Sequence, residues 1–163
     1  MRADLVLDRL TGILNAPVLV ATTQADGEPS GCLVGFATQA SIHPPRFLVG
    51  LSQTNHTFTV ARRSDYLAVH VLSRRNLSLA KLFGGQTGDE INKFNHCRWH
   101  SGPEGMPILD EATAWFVGKT VQRIDLGDHL GYLLEPADAW FADESHDLIH
   151  LCDVIEIEPG HEP

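Results

Sequence analysis

The chain has 163 residues, 43% of them hydrophobic and 20% charged, enough to close one core and too apolar for disorder outside the termini. Twelve Lys and Arg against 21 Asp and Glu give a formal charge of -9, a field that repels phosphate backbones and anionic lipid, so neither nucleic acid nor a membrane surface is an expected partner. Asp4 and Asp8 interrupt the opening residues where an export signal needs an apolar stretch, and Cys32, Cys97 and Cys152 are odd in number and scattered, as reduced thiols are; the expectation is a cytoplasmic protein of one domain.

From Asp4 to Ile13 the apolar residues fall near helical spacing, with Asp4 as N-cap and Gly12 close to the end, which predicts a short leading helix. A β-branched run, Pro17 to Thr23, is followed by Asp26-Gly27, a strong turn signal, and by a second run from Cys32 to Ala37; together they predict a hairpin. Beyond the breaker His43-Pro44-Pro45, Arg46 to Ser52 is almost continuously apolar and reads as a buried strand. Asn55 to Arg63 reads as a helix capped by Asn55, Tyr66 to Leu72 as a strand, and Asn76 to Phe83 as a helix stopped by Gly84-Gly85. Gln86 to Gly105 turns polar and predicts a surface loop with at most one helical turn near Asp89 to Phe94. Three β candidates remain, Thr113 to Ile124, His129 to Phe141 and Leu148 to Ile157, before a frayed tail over 158–163. Many strands and short helices predict a mainly β, antiparallel barrel with helical additions.

Three stretches could carry chemistry. Gly35 to Ser41, with Thr38, Gln39 and Ser41 polar and Gly35 and Ala40 small, leaves backbone amides able to bond a flat heterocycle; a solvated loop would have the same composition. Ser52-Gln53-Thr54-Asn55-His56-Thr57 leaves a strand and opens a helix, so Ser52, Asn55, His56 and Thr57 with the helix amides form a candidate anion site, though Asn55 also reads as a plain cap. Gly127-Asp128-His129 pairs a carboxylate with the side chain best suited to proton traffic near neutral pH, and equally reads as a turn before a strand. Two His/Cys groupings, His96-Cys97-x-x-His100 and His146, His150 and Cys152, lack the paired spacing of a structural zinc site, and no metal is expected. A glycine fingerprint after a strand, a Gly-Lys-Ser/Thr loop and a Gly-x-Ser-x-Gly elbow are all missing, so a nicotinamide dinucleotide would act here as a transient substrate.

Taken in order, Asp26-Gly27-x-x-x-Gly31, Ser41-Ile42-His43-Pro44-Pro45 and Gly127-Asp128-His129 resemble the flavin reductase-like domain family over residues 10–157, small reductases that include components of two-component flavin-dependent monooxygenases. The resemblance implies an FMN-binding split β-barrel homodimer, with FMN or FAD near the subunit interface and NADH or NADPH passing hydride to it. It places Gly35, Phe36, Thr38, Gln39, Ala40 and Ser41 along the isoalloxazine and ribityl chain, Ser52, Asn55, His56 and Thr57 on the phosphate, and His129 with Asp128 by the nicotinamide or the flavin face. Phe94, in the loop opened by Gly84-Gly85, would edge the active site. A monooxygenase partner is implied; an FMN-binding electron-transfer protein or a heme-handling split barrel are the rival readings. The chain departs from many family members in carrying Leu33-Val34-Gly35-Phe36 where they read Thr-Ala-Asn-Ser, and His43 where they carry Asp.

Overall fold

The computed structural model describes residues 2–142 and 147–160. The helices are α1 (Ala3–Leu14), α2 (His56–Ala61), α3 (Leu77–Gly85) and α4 (Leu151–Val154). The strands are β1 (Leu19–Ala25), β2 (Glu28–Val34), β3 (Ala37–Ser41), β4 (Arg46–Ser52), β5 (Tyr66–Val71), β6 (Trp99–Ser101), β7 (Pro107–Leu109), β8 (Ala114–Asp125) and β9 (His129–Phe141). Among the described residues no helix is long and apolar enough to cross a membrane.

Seven strands form one sheet in the order β2-β1-β5-β8-β9-β4-β3, with antiparallel neighbours throughout. The first hairpin turns on Asp26 and Gly27, both at positive φ (53° and 77°), which is the backbone a two-residue turn of the right twist demands and the reason Asp-Gly stands there. Two irregularities in the β8–β9 ladder, between Val117 and Gly118 and between Thr120 and Gln122, bend the longest hairpin. The sheet thereby curls over a single cluster drawn from both its ends, in which Cys32 and Val34 of β2 pack with Val49 and Leu51 of β4, Leu67 and Val69 of β5 and Tyr132 and Leu134 of β9. The curl stops short of a closed barrel, because β2 and β3 stand at the two ends of the hydrogen-bonded order.

A second cluster lies where α3 and α4 cover the sheet, gathering Val20, Leu72, Leu79, Phe83, Phe94, Leu109, Ile149 and Val154. His70 is buried beside it. Its Nδ1–H donates to the Val20 carbonyl (3.1 Å) and its Nε2 accepts from the Leu109 amide (3.2 Å), so one neutral ring links β1, β5 and β7, and burial pushes its pKa down to about 4.

The structure corrects the sequence reading in three places. The polar stretch after Phe36 is strand β3, which pairs with β4 alone and so needs no apolar face of its own. Trp99–Ser101, inside the polar loop, pairs with Pro107–Leu109 just beyond it as the small β6–β7 sheet. Leu148 to Ile157 is not a strand: only isolated bridges at Leu148 and His150 remain, and a capping box between His150 and Asp153 starts α4 instead.

Candidate cofactor cleft

A cleft of about 330 Å³ opens between the end of β2, the turn that follows it, β4 and the end of α3. Its walls combine apolar Leu33, Val34, Leu51 and Phe83 with the polar side chains of Ser52, Asn55, Gln86 and His129. Gly35, Gly50 and Gly84 keep parts of that wall at backbone height. A side chain would be crowded at two of them: a Cβ on Gly84 would sit 2.8 Å from Leu33 Cδ2, and one on Gly50 would sit 3.3 Å from the Phe36 Cβ. The Gly50 amide also donates to the Phe36 carbonyl at 2.8 Å, which fixes the turn against β4.

His129 opens β9 directly across from Ser52, the last residue of β4, so the sheet register itself places these two side chains together. The turn before it is pinned from three sides: the Gly127 amide donates to Asp125 Oδ1 (2.9 Å), and Gln53 donates from its amide to the Asp128 carbonyl (3.0 Å) and from Nε2 to that of Gly127 (3.3 Å). Asp128 Oδ1 lies 2.7 Å from His129 Nδ1, and with the carboxylate ionised that nitrogen donates, leaving Nε2 as the free polar atom of the ring. The imidazole is 17% exposed against 70% for the Asp128 side chain, and its centroid lies 4.7 Å from that of Phe36. Five sequence-predicted residues, Gly35, Phe36, Ser52, Asn55 and His129, therefore meet in one cleft.

The rest divide between other surfaces. His56 and Phe94 line a neighbouring hollow of about 160 Å³. There Nδ1 of His56 faces Asp89 Oδ1 at 2.7 Å and Nε2 faces Glu28 Oε1 at 3.0 Å, so this ring already has two carboxylates and is not free to meet an anion as the sequence suggested. Arg63 beside Glu28 holds that carboxyl below the usual range. Thr57 points inward, its hydroxyl 2.9 Å from that of Ser30, and its amide goes to Asn55 Oδ1 at 2.9 Å. Asn55 acts as a cap, and the Asn55 and Phe58 amides go to carbonyls of the same turn, so the expected anion cradle is largely used up by the chain itself. Thr38, Gln39 and Ser41 leave the cleft with β3 and line a separate apolar groove of about 800 Å³, while Ala40 is exposed and borders neither.

Among the described residues no three or more His, Cys, Asp or Glu side chains come together as ligands. His100 turns to Asp110 (2.7 Å), and burial, with Glu111 and Asp110 nearby, pushes the Cys97 thiol up to about 11. His146 lies outside the described residues. The sequence reading missed Gln86 and the C-terminal wall of the cleft, formed by Leu151, Val154, Ile157 and Pro159. No local pattern marks these positions, because they reach the cleft only through the packing of α4 on α3.

Comparison with known proteins bears on the whole chain. It is 28% identical over 138 residues to the FMN reductase (NADH) RutF of Serratia proteamaculans (strain 568), covering 85% of this chain and 78% of that one. It is 28% identical over 139 residues to the 4-hydroxyphenylacetate 3-monooxygenase reductase component of Escherichia coli, covering 85% and 82%. Its fold matches that of the Streptomyces globisporus C-1027 NADH:FAD oxidoreductase with a TM-score of 0.79 at 23% identity, over 91% of this chain and 86% of the other. The sequence profile of the flavin reductase like domain matches residues 11–154, and the chain belongs to that family.

Proposed function

We propose that the protein is an NADH-dependent flavin reductase that binds FMN in the cleft between β2, β4 and α3. The observation that carries this reading is the meeting of Gly35, Phe36, Ser52, Asn55 and His129 in that one cleft, in a chain whose relatives are named as FMN reductase (NADH) and as a monooxygenase reductase component. The cleft fits a flavin: at about 330 Å³ it is within the range of small-molecule sites, its walls are apolar, and Ser52, Asn55, Gln86 and His129 supply a few converging polar groups. Bound there, the flavin supplies an acceptor for hydride from a reduced nicotinamide.

What the chain contributes is placement. Glycines at 35, 50 and 84 let a planar ring approach the backbone, and Leu33, Val34, Leu51 and Phe83 keep water from the ring, which strengthens each polar contact inside. His129 and Phe36 offer a tilted pair of rings at the mouth, and Asp128 fixes the imidazole so that Nε2 is the atom presented to a second ligand. Ser52, opposite His129, supplies a hydroxyl at the same level.

The working form is a homodimer of split barrels, which supplies reduced flavin to a monooxygenase. Support for the dimer comes from the groove bordered by Leu19, Phe47, Val71, Trp115 and Phe116, whose rim carries Trp140 and Phe141 at 48% and 68% exposure. An apolar surface of this kind marks an interaction site in proteins generally. Thr38, Gln39 and Ser41 would then belong to the interface and not to the cleft wall. The reading is tested by adding NADH anaerobically to the protein loaded with FMN; loss of the oxidised flavin bands at catalytic rates supports it.

A further inference from the structure

Lys93 is a buried lysine with no carboxylate paired to it among the described residues. The residue is 4% exposed, its Nζ donates to the carbonyls of Gly31 (2.9 Å) and Phe83 (3.1 Å), and it stands 5.6 Å from the centroid of the Phe83 ring. Among the described residues no carboxylate forms an ion pair with it; burial pushes its pKa down, and the neighbouring Cys32, which acts the other way, is a thiol itself pushed up by burial. Removing an ammonium from water without a counter-charge is costly, and a methionine of similar length would fill the same space beside Phe83. Two hydrogen bonds to carbonyls do not need a full positive charge.

Its location gives the charge a use. Gly31 precedes Cys32, where the β2 wall of the cleft begins, and Phe83 lies in the α3 wall, so Nζ is tied to both walls from the side of the neighbouring hollow that Lys93 lines with His56 and Phe94. We propose that Lys93 supplies the fixed positive charge that balances the negative charge a flavin gains on reduction, an inference that rests on the flavin reading of the cleft. Hydride transfer moves two electrons and one proton from nicotinamide C4 to flavin N5. The nicotinamide becomes the cation, and the flavin becomes an anion with its charge on the N1 and C2-carbonyl side. A preorganised ammonium held between the two walls favours that anion over the neutral oxidised ring.

The test compares wild type, Lys93→Met and Lys93→Gln for binding of oxidised FMN, binding of riboflavin and the two-electron potential of bound FMN. Both variants are expected to hold oxidised FMN within about twofold of wild type and reduced FMN about tenfold less tightly, which lowers the potential by about 30 mV. Gln keeps a donor for a carbonyl but no charge, so a Gln variant at the wild-type potential overturns the proposal and leaves Lys93 a structural tie. Loss of FMN binding with riboflavin binding intact assigns the charge to the phosphate and overturns it equally. Should neither variant fold, wild type alone decides. Its potential should change by about 30 mV per pH unit well into the acid range, as one proton per two electrons requires, whereas about 59 mV means the reduced ring is neutral and contradicts the proposal. Failure of wild type to bind FMN at all would instead remove the flavin reading beneath it.

Discussion

The ring of Phe36 packs against that of His129 with centroids 4.7 Å apart and planes inclined at 55°, at the mouth of a cleft to which both contribute. Phe36 is 63% exposed, so it leaves an apolar ring in water at the mouth of the cleft. The pair defines where the nicotinamide is expected to arrive. His129→Ala should slow reduction of bound FMN at saturating NADH by about 10²-fold, read by anaerobic stopped flow. A change of less than about twofold would remove His129 from the reaction. Asp128 is exposed, and an exposed ion pair contributes no more than about 1 kcal/mol, so Asp128→Asn should stay within about fivefold of wild type.

Stability should depend on pH through His70. Its folded pKa is about 4 against the usual 6.5, so between those values the unfolded chain binds more protons than the folded one. The contribution of His70 is therefore fully present above about pH 6.5, and up to about 3 kcal/mol of it is lost as pH falls to 4. Urea midpoints at pH 7.5, 5.5 and 4 measure this. His70→Gln should be less stable at neutral pH and flatter across the range; an unchanged slope would show that other groups carry it.

Gly84 separates binding from folding. A methyl group there meets Leu33 Cδ2 at 2.8 Å, and Leu33 is the end of a flexible side chain that lines the cleft. Gly84→Ala should push Leu33 into the space a flavin ring needs, weakening FMN at least tenfold while the thermal midpoint moves only a few degrees. Fluorescence titration with FMN and calorimetry on the same sample check both halves.

The dimer is tested on the groove rim. Trp140→Ser with Phe141→Ser removes two exposed rings and should give a folded monomer by light scattering after gel filtration. A variant that stays dimeric would place the interface elsewhere, with the unburied apolar residues of α1, among them Leu5, Leu7 and Ile13, as the next surface to change.

Much of the fold was legible in the sequence because its signals are local. Asp26-Gly27 set the first hairpin, the continuous apolar run set β4 at Arg46–Ser52, and His129 to Phe141 marked β9 at both ends. Strand β3 was hidden because an edge strand with polar sides has no alternation to reveal it, and β6 and β7 because three residues each are too few to show a period. The last strand was misjudged for a related reason: the β-branched run Val154 to Ile157 looks extended until the His150 and Asp153 capping box is taken into account. In the site, Gly35, Phe36, Ser52, Asn55 and His129 could be found from motifs, since each sits where a strand meets a turn. Gln86, Pro159 and the buried Lys93 could not, because their roles come from packing between segments far apart in the chain.

The measurement that tests the central claim most directly is the visible spectrum of the protein with FMN under anaerobic conditions, before and after NADH. The account predicts a bound, oxidised flavin whose bands bleach at catalytic rates on adding NADH, with His129→Ala bound but slow. A flavin that binds and stays oxidised, or no binding at all, would contradict it.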